Sequence, residues 1–121
     1  DAAHVAMHAQ IGDLLELPYE HRHCRSAWHL FIVRLNRREL CISRDRFIEL
    51  MAARGVECGV HYRPVFDFSY YRSLRSWKKH CPNVVSVACQ VVTLPLYAKM
   101  TIRQVDEVCE KMVDIATKQA R

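Results

Sequence analysis

The chain has 121 residues, half of them hydrophobic, with only three glycines and four prolines, and this composition excludes an intrinsically disordered protein. No apolar run is long enough to cross a bilayer, and six cysteines beside so many apolar residues favour reduced thiols in a cytoplasmic protein. The formal net charge of +5 permits an anionic partner, although an excess of this size is also common on ordinary solvated surfaces.

The first predicted element is a helix over residues 1–17, with Leu15 on its apolar side and Gly12 as its weakest point. Pro18 ends this helix, because the residue before a proline avoids the helical region. Residues 27–35 are almost continuously apolar, which predicts a strand covered on both faces.

A capped amphipathic helix is predicted between Ser43 and Gly55. Ser43 fits an N-cap, and Asp45 places a negative charge near the helix N-terminus, where the helix dipole favours it. Gly55 fits a left-handed position after the helix, and Val56 would then pack back on Met51 in a Schellman motif.

Residues 56–63 alternate apolar and polar side chains, which predicts a strand that stops at Pro64. His61, Tyr62 and Arg63 therefore form a polar corner at a strand end. Functional sites are commonly built from polar side chains held in this way by a packed scaffold.

The region after Pro64 is predicted to hold a helical turn or two over residues 65–74 and a basic loop over residues 72–80. Residues 83–92 are ambiguous, because valines favour a strand whereas the apolar spacing and Pro82 favour a helix. We assign a helix there, followed by a short strand over residues 92–96.

The last element is a helix that starts at the capping box of Thr101 and Gln104 and ends near Thr117. We expect a single domain over residues 1–121, with the N-terminal helix over 1–17 and the sheet with its packing helices over 18–121. The fold class is α/β (α+β), with a sheet of about three strands covered by helices.

Several segments, taken in order, resemble the carboxy-terminal small domain of the DegT/DnrJ/EryC1/StrS family of pyridoxal-phosphate-dependent nucleotide-sugar aminotransferases. The similar segments are residues 15–18 (LELP), 26–35 (SAWHLFIVRL), 44–50 (RDRFIEL), 54–64 (RGVECGVHYRP), 93–97 (TLPLY) and the helix from Thr101. The resemblance covers residues 14–115, and it implies a helix at residues 83–91.

The resemblance implies that the catalytic machinery lies in a large domain that precedes the small one in the family. That domain carries the lysine that holds pyridoxal phosphate, and no lysine of this chain lies in the family's lysine motif. We therefore expect no catalytic residue and no cofactor in this chain, which alone should not transaminate. It is either a fragment of a longer enzyme or a stand-alone nucleotide-sugar or protein-interaction module.

In the family, the small domain supplies part of the wall over the sugar nucleotide, and the resemblance places His61, Tyr62 and Arg63 in that wall. A tyrosine can stack on a sugar or donate to its hydroxyls, and an arginine can donate a fork of hydrogen bonds to a phosphate. The family pattern usually continues with a histidine two residues after the proline, whereas Phe66 stands at that position here.

The competing interpretations of the corner are structural. A histidine near a strand end, such as His61, is more often held by a structural hydrogen bond or simply exposed. Tyr62 is also explained by burial in the core, and Arg63 by a solvated rim. Cys58 and His61 have the spacing of a metal-ligand pair, but on a strand they point to opposite faces, so we expect no metal site. Four cysteines within apolar patterns are expected to be inert, namely Cys41, Cys58, Cys89 and Cys109.

A nucleic-acid-binding module is the alternative function. The region from Arg72 to His80 is basic and follows Tyr70 and Tyr71, and basic residues interleaved with aromatic ones can hold phosphates and stack bases. A solvated surface with a vacated domain interface explains the same pattern. Such an interface would be exposed here, so we expect a homodimer or association with the missing large domain.

Overall fold

The computed structural model describes residues 11–121, apart from the side chains of residues 72, 74 and 75. The elements that lie wholly within the described residues are, in chain order, β1 (Leu15–Glu16), β2 (Phe31–Leu35), α1 (Arg44–Ala52), a first 3-10 helix (Val65–Asp67), a second 3-10 helix (Ser69–His80), α2 (Pro82–Ala88), β3 (Val91–Leu94) and α3 (Ile102–Lys118).

The three strands form one antiparallel sheet in the order β1-β2-β3, with Leu15 opposite Leu35 and Val33 opposite Val92. Helices α1 and α3 cover this sheet, and their inner side chains complete the core. The largest fully buried side chains of these elements are Leu15, Val33, Leu35, Phe47, Met51, Val92, Met112 and Ile115. The predicted fold class, a sheet of about three strands covered by helices, is confirmed.

The predicted N-terminal helix is wrong at its end. Residues 1–10 lie outside the described part of the chain, Ile11 is helical, residues 12–14 form a turn, and Leu15–Glu16 is a strand. Leu15 pairs with Leu35, and Arg34 forms a 3.2 Å ion pair with Glu16. A distant strand therefore determines the conformation that local periodicity assigned to a helix.

The predicted strand over residues 27–35 is shorter and less covered than expected. Trp28 has φ of 47°, which is incompatible with extended backbone, and the strand begins only at Phe31. Arg34 is exposed between buried Val33 and Leu35, so this part of the strand is buried on one face and not on both.

The predicted ends of α1 are confirmed. The Arg46 backbone N–H donates to the Ser43 side chain over 3.2 Å. At the other end Gly55 has φ of 77°, its N–H donates to the Ala52 carbonyl over 2.8 Å, and the Val56 N–H donates to the Met51 carbonyl over 3.0 Å. These two bonds are the Schellman pair.

After Pro64, the elements agree with the sequence in kind except in one region, and the strand predicted over residues 92–96 is β3 at Val91–Leu94. Helix α2 starts at Pro82, the capping box of Thr101 and Gln104 opens α3, and α3 ends at Lys118, next to the predicted end. Residues 72–80, predicted to be a loop, belong to the second 3-10 helix. Within residues 11–121 no helix has the length and apolar character that a bilayer span requires.

Candidate functional site: a polar corner beside a basic cleft

The predicted strand over residues 56–63 is wrong, because a single residue of it pairs with the sheet. Gly59 forms an isolated bridge with Thr93 of β3, in which each N–H donates to the other's carbonyl over 2.9 and 2.8 Å. Two residues later, His61 Nδ1 and the buried Thr93 Oγ1 are joined by a 2.9 Å hydrogen bond. Strand β3 thus fixes the start of the corner through one threonine.

Tyr62 is 71% exposed, so the interpretation that places it in the core is wrong. The alternation of buried side chains stops before the corner because the chain leaves the sheet after Gly59. The peptide bond between His61 and Tyr62 is cis, and the two rings meet edge to face with centroids 4.7 Å apart. The Tyr62 ring is therefore presented to solvent beside a half-buried imidazole.

Arg63 is exposed, and two contacts orient its guanidinium. Its Nη2 donates to the Asp67 backbone carbonyl over 2.9 Å, and its Cζ lies 5.3 Å from the centroid of the Phe68 ring. A guanidinium carries five N–H donors, so most of its donors are left for a ligand.

Phe66, which stands where the family usually has histidine, is buried. Its ring lies 5.5 Å from Lys78 Nζ, and that ammonium group forms a 2.6 Å ion pair with Asp67. Phe66 thus makes a cation–π contact with Lys78 and has no polar group for a ligand. The sequence interpretation missed Lys78 and Asp67 as neighbours of the corner, and the basic, aromatic character of this region was the only signal for them.

A cleft of about 490 Å³ opens beside the corner. It is lined by residues of the corner and of the segment after it, namely Arg63, Phe66, Asp67 and Lys78, and by Arg44 of α1. His61 and Tyr62 do not line it, so the structure separates the three predicted site residues into a ring pair outside the cleft and an arginine at its wall.

All six cysteines are free in the structure. Burial raises the pKa of the Cys58 thiol to about 11, and burial, followed by the nearby carboxylates Asp106 and Glu110, also raises the pKa of Cys109. Both thiols are therefore poor nucleophiles near neutral pH. Cys41 differs from the prediction because it is exposed. The described residues contain no group of three metal-ligating side chains.

The lysines of the chain do not fit a pyridoxal phosphate site. A Schiff-base lysine needs a closed, desolvated environment. Lys78 and Lys118 form ion pairs with aspartates, Lys111 pairs with Glu107, and Lys79 and Lys99 are exposed. No lysine of the described residues is therefore placed to hold this cofactor, and we derive no step through it.

The comparisons with known proteins agree with this geometry. The chain has the fold of an aminotransferase small domain. It belongs to the DegT/DnrJ/EryC1/StrS aminotransferase family, whose sequence model matches residues 6–113. The family depends on pyridoxal phosphate, and one similar structure is the PLP form of Spr1654, a candidate sugar aminotransferase from Streptococcus pneumoniae, with a TM-score of 0.78.

Three further similar structures cover almost all of this chain and about a third of their own. The PMP form of Spr1654 has 23% identity and a TM-score of 0.77 over 97% of this chain and 30% of its own. DesV of S. venezuelae has 26% identity and a TM-score of 0.75, and the match covers 95% of this chain and 30% of DesV. Helicobacter pylori PseC, an aminotransferase involved in the biosynthesis of pseudoaminic acid, has 17% identity and a TM-score of 0.73. This match covers 97% of this chain and 32% of PseC. The chain thus spans about 30% of the first two proteins.

Proposed function

We propose that this chain is the substrate-wall small domain of a sugar aminotransferase and that its corner contacts a nucleotide sugar. The observation that carries the proposal is the exposure of Tyr62 and Arg63 next to an anchored His61, in a chain of this family. Exposed aromatic and arginine side chains with a fixed neighbour are suited to a ligand that combines a sugar with phosphate.

The three residues would have different roles. Tyr62 would stack on the sugar or donate to one of its hydroxyls, and Arg63 would donate to a phosphate with the N–H groups that Asp67 leaves free. His61 uses Nδ1 for Thr93, so the opposite ring edge, which carries Nε2, is the one available to a ligand. Phe66 is buried and cannot make the polar contact that a histidine would make at this position.

Amino transfer itself requires a second domain. Pyridoxal phosphate supplies the electron sink of the family's reaction, and the described lysines have no environment for it. We therefore expect no transamination by the isolated chain, whether it is a fragment or a stand-alone binding module. Turnover by the isolated chain with added pyridoxal phosphate would contradict this part of the proposal.

Ligand-induced thermal stabilisation tests the corner. UDP- or dTDP-sugars should raise the Tm of the chain, because a ligand that binds only the folded state stabilises it. Arg63→Ala should weaken this binding by about tenfold or more, since a hydrogen bond to a charged group contributes about 1.5–3 kcal/mol.

Arg103→Ala is the matched control, because Arg103 is an exposed arginine on α3 and its removal changes the net charge equally. The control should bind like the unmodified chain. Equal losses in both variants, or no stabilisation of the unmodified chain, would overturn the assignment of the corner to ligand contact.

A further inference from the structure

The cleft beside the corner holds three cationic side chains on different elements. Arg44 belongs to α1, Arg63 to the corner and Lys78 to the second 3-10 helix, and all three line the same space of about 490 Å³. Asp67 is the only carboxylate in the lining. The cleft therefore has a positive balance that the amino-acid order does not reveal, because its members come from separate segments.

Asp67 organises two of these cations at once. Its backbone carbonyl accepts from Arg63 Nη2 over 2.9 Å, and its carboxylate pairs with Lys78 Nζ over 2.6 Å. An aromatic ring also contacts each cationic group: Phe68 lies next to the Arg63 guanidinium, and Phe66 lies next to the Lys78 ammonium. These contacts restrict two long side chains that would otherwise lose conformational freedom on binding an anion.

Arg44, the third cation that lines the cleft, is also held by contacts within the protein. Its side chain is only 19% exposed, its Nη1 donates to the Ala88 carbonyl over 2.9 Å, and its Nε donates to Asp45 over 2.6 Å. Its second terminal nitrogen is not used in these bonds, so the group can still donate into the cleft.

The remaining lining is apolar and includes Val60, Phe66 and Val85. A cleft that is lined by both preorganised cations and apolar side chains suits a ligand that carries phosphate and an apolar portion, because arginine and lysine donate to phosphate oxygens while the apolar side chains contact the rest of the ligand. A simple carboxylate would engage fewer of the donors.

We propose that this cleft is a binding site for a phosphate or diphosphate group, with Lys78 and Arg44 as ligand-contacting residues in addition to Arg63. The site stands on the charges of the cleft and shares only Arg63 with the proposed sugar wall.

The test measures the dissociation constants of inorganic pyrophosphate and inorganic phosphate by calorimetry at fixed ionic strength. Lys78→Ala should weaken pyrophosphate binding by about tenfold, which corresponds to the loss of one charge-assisted contact. Lys79→Ala, which removes the neighbouring exposed lysine outside the cleft, should change it by less than about twofold, and Lys78→Arg should retain binding.

Arg63→Gln gives a second variant, since this exposed side chain is dispensable for the core. Absence of saturable pyrophosphate binding, or equal losses in Lys78→Ala and Lys79→Ala, would overturn the proposal. Nucleotide-sugar binding that needs Arg63 and ignores Lys78 would overturn it while leaving the proposed function intact. Pyrophosphate binding that needs Lys78, without tighter binding of nucleotide sugars, would support it and overturn the sugar wall.

Discussion

At the scale of single residues, the corner depends on a close approach between Gly59 and His61. A Cβ atom added at Gly59 would lie 2.9 Å from His61 Cε1, which is too close for the imidazole to keep its place. We expect Gly59→Ala to displace the ring and break its bond to Thr93, with a loss of about 1 kcal/mol in the free energy of unfolding. Urea unfolding and the NMR signals of the His61 ring measure both effects.

Gly55→Ala is the matched control for this variant. Gly55 has φ of 77° and no atom within 4 Å of an added Cβ, so its replacement strains the backbone without touching the corner. The expected cost is about 1–2 kcal/mol from the left-handed conformation alone. His61 signals that move in Gly55→Ala, or stay unchanged in Gly59→Ala, would contradict the role assigned to Gly59.

A second prediction at this scale concerns Cys58, whose burial raises the pKa from an ordinary value of 9.0 to about 11. At pH 8 its thiolate fraction is about a hundredfold below that of an ordinary thiol, so alkylation should be slow. Exposed Cys24 and Cys41 should react first, as peptide mass spectrometry after brief iodoacetamide treatment would show. Alkylation of Cys58 as fast as that of Cys24 would contradict the prediction.

The same shift affects stability at high pH. The folded state keeps the Cys58 thiol protonated, so its contribution is fully present below pH 9. Between pH 9 and about pH 11 the unfolded chain ionises first, and stability falls as the pH rises through this range. Cys58→Ala should lose this part of the alkaline decline.

At the scale of elements, the features that sequence predicted well are those that local contacts determine. Ser43 bonds the N–H of Arg46, and Thr101 bonds that of Gln104, so each cap lies within four residues of its partner. Gly55 is likewise determined by its own backbone conformation.

The features that sequence predicted wrongly depend on distant partners. Leu15 follows a helical pattern but pairs with Leu35, and residues 56–63 alternate like a strand although only Gly59 meets β3. The periodicity of a sequence shows which side chains are apolar, but it does not show whether another strand is available to form backbone hydrogen bonds with that segment. Likewise, the sequence predicted the corner as a candidate site, whereas the ion pair of Asp67 with Lys78 becomes visible only in the fold.

The capping box of α3 gives the prediction for this scale. Thr101→Ala should lower the free energy of unfolding by about 1 kcal/mol, because the Gln104 N–H loses its acceptor at the helix N-terminus. Thr117→Ala, in the last turn of the same helix, is the control and should be neutral or slightly stabilising, since alanine favours helix. Urea unfolding of both variants measures the difference, and equal losses would show that the cap contributes nothing.

At the scale of the whole molecule, the notable surface is the one around the second 3-10 helix and α2. None of the residues of α2 is buried, and Val84 and Val85 are both exposed. The preceding helix adds Tyr70 and Trp77 to the exposed apolar side chains. Scattered apolar residues are normal on a surface, whereas a concentration of them on adjacent elements is typical of an interface.

We therefore expect the isolated chain to form a homodimer through this surface, because association removes these side chains from water. Trp77→Glu should convert the dimer to a monomer, since it replaces a large apolar contact with a charge that association would have to desolvate. Ile102→Glu is the control, because Ile102 is 81% exposed on α3 and its substitution makes the same change of charge elsewhere.

Sedimentation equilibrium at moderate concentration gives the mass of each form. A monomeric unmodified chain would refute self-association. A dimer that survives in Trp77→Glu but dissociates in Ile102→Glu would place the interface near Ile102 instead.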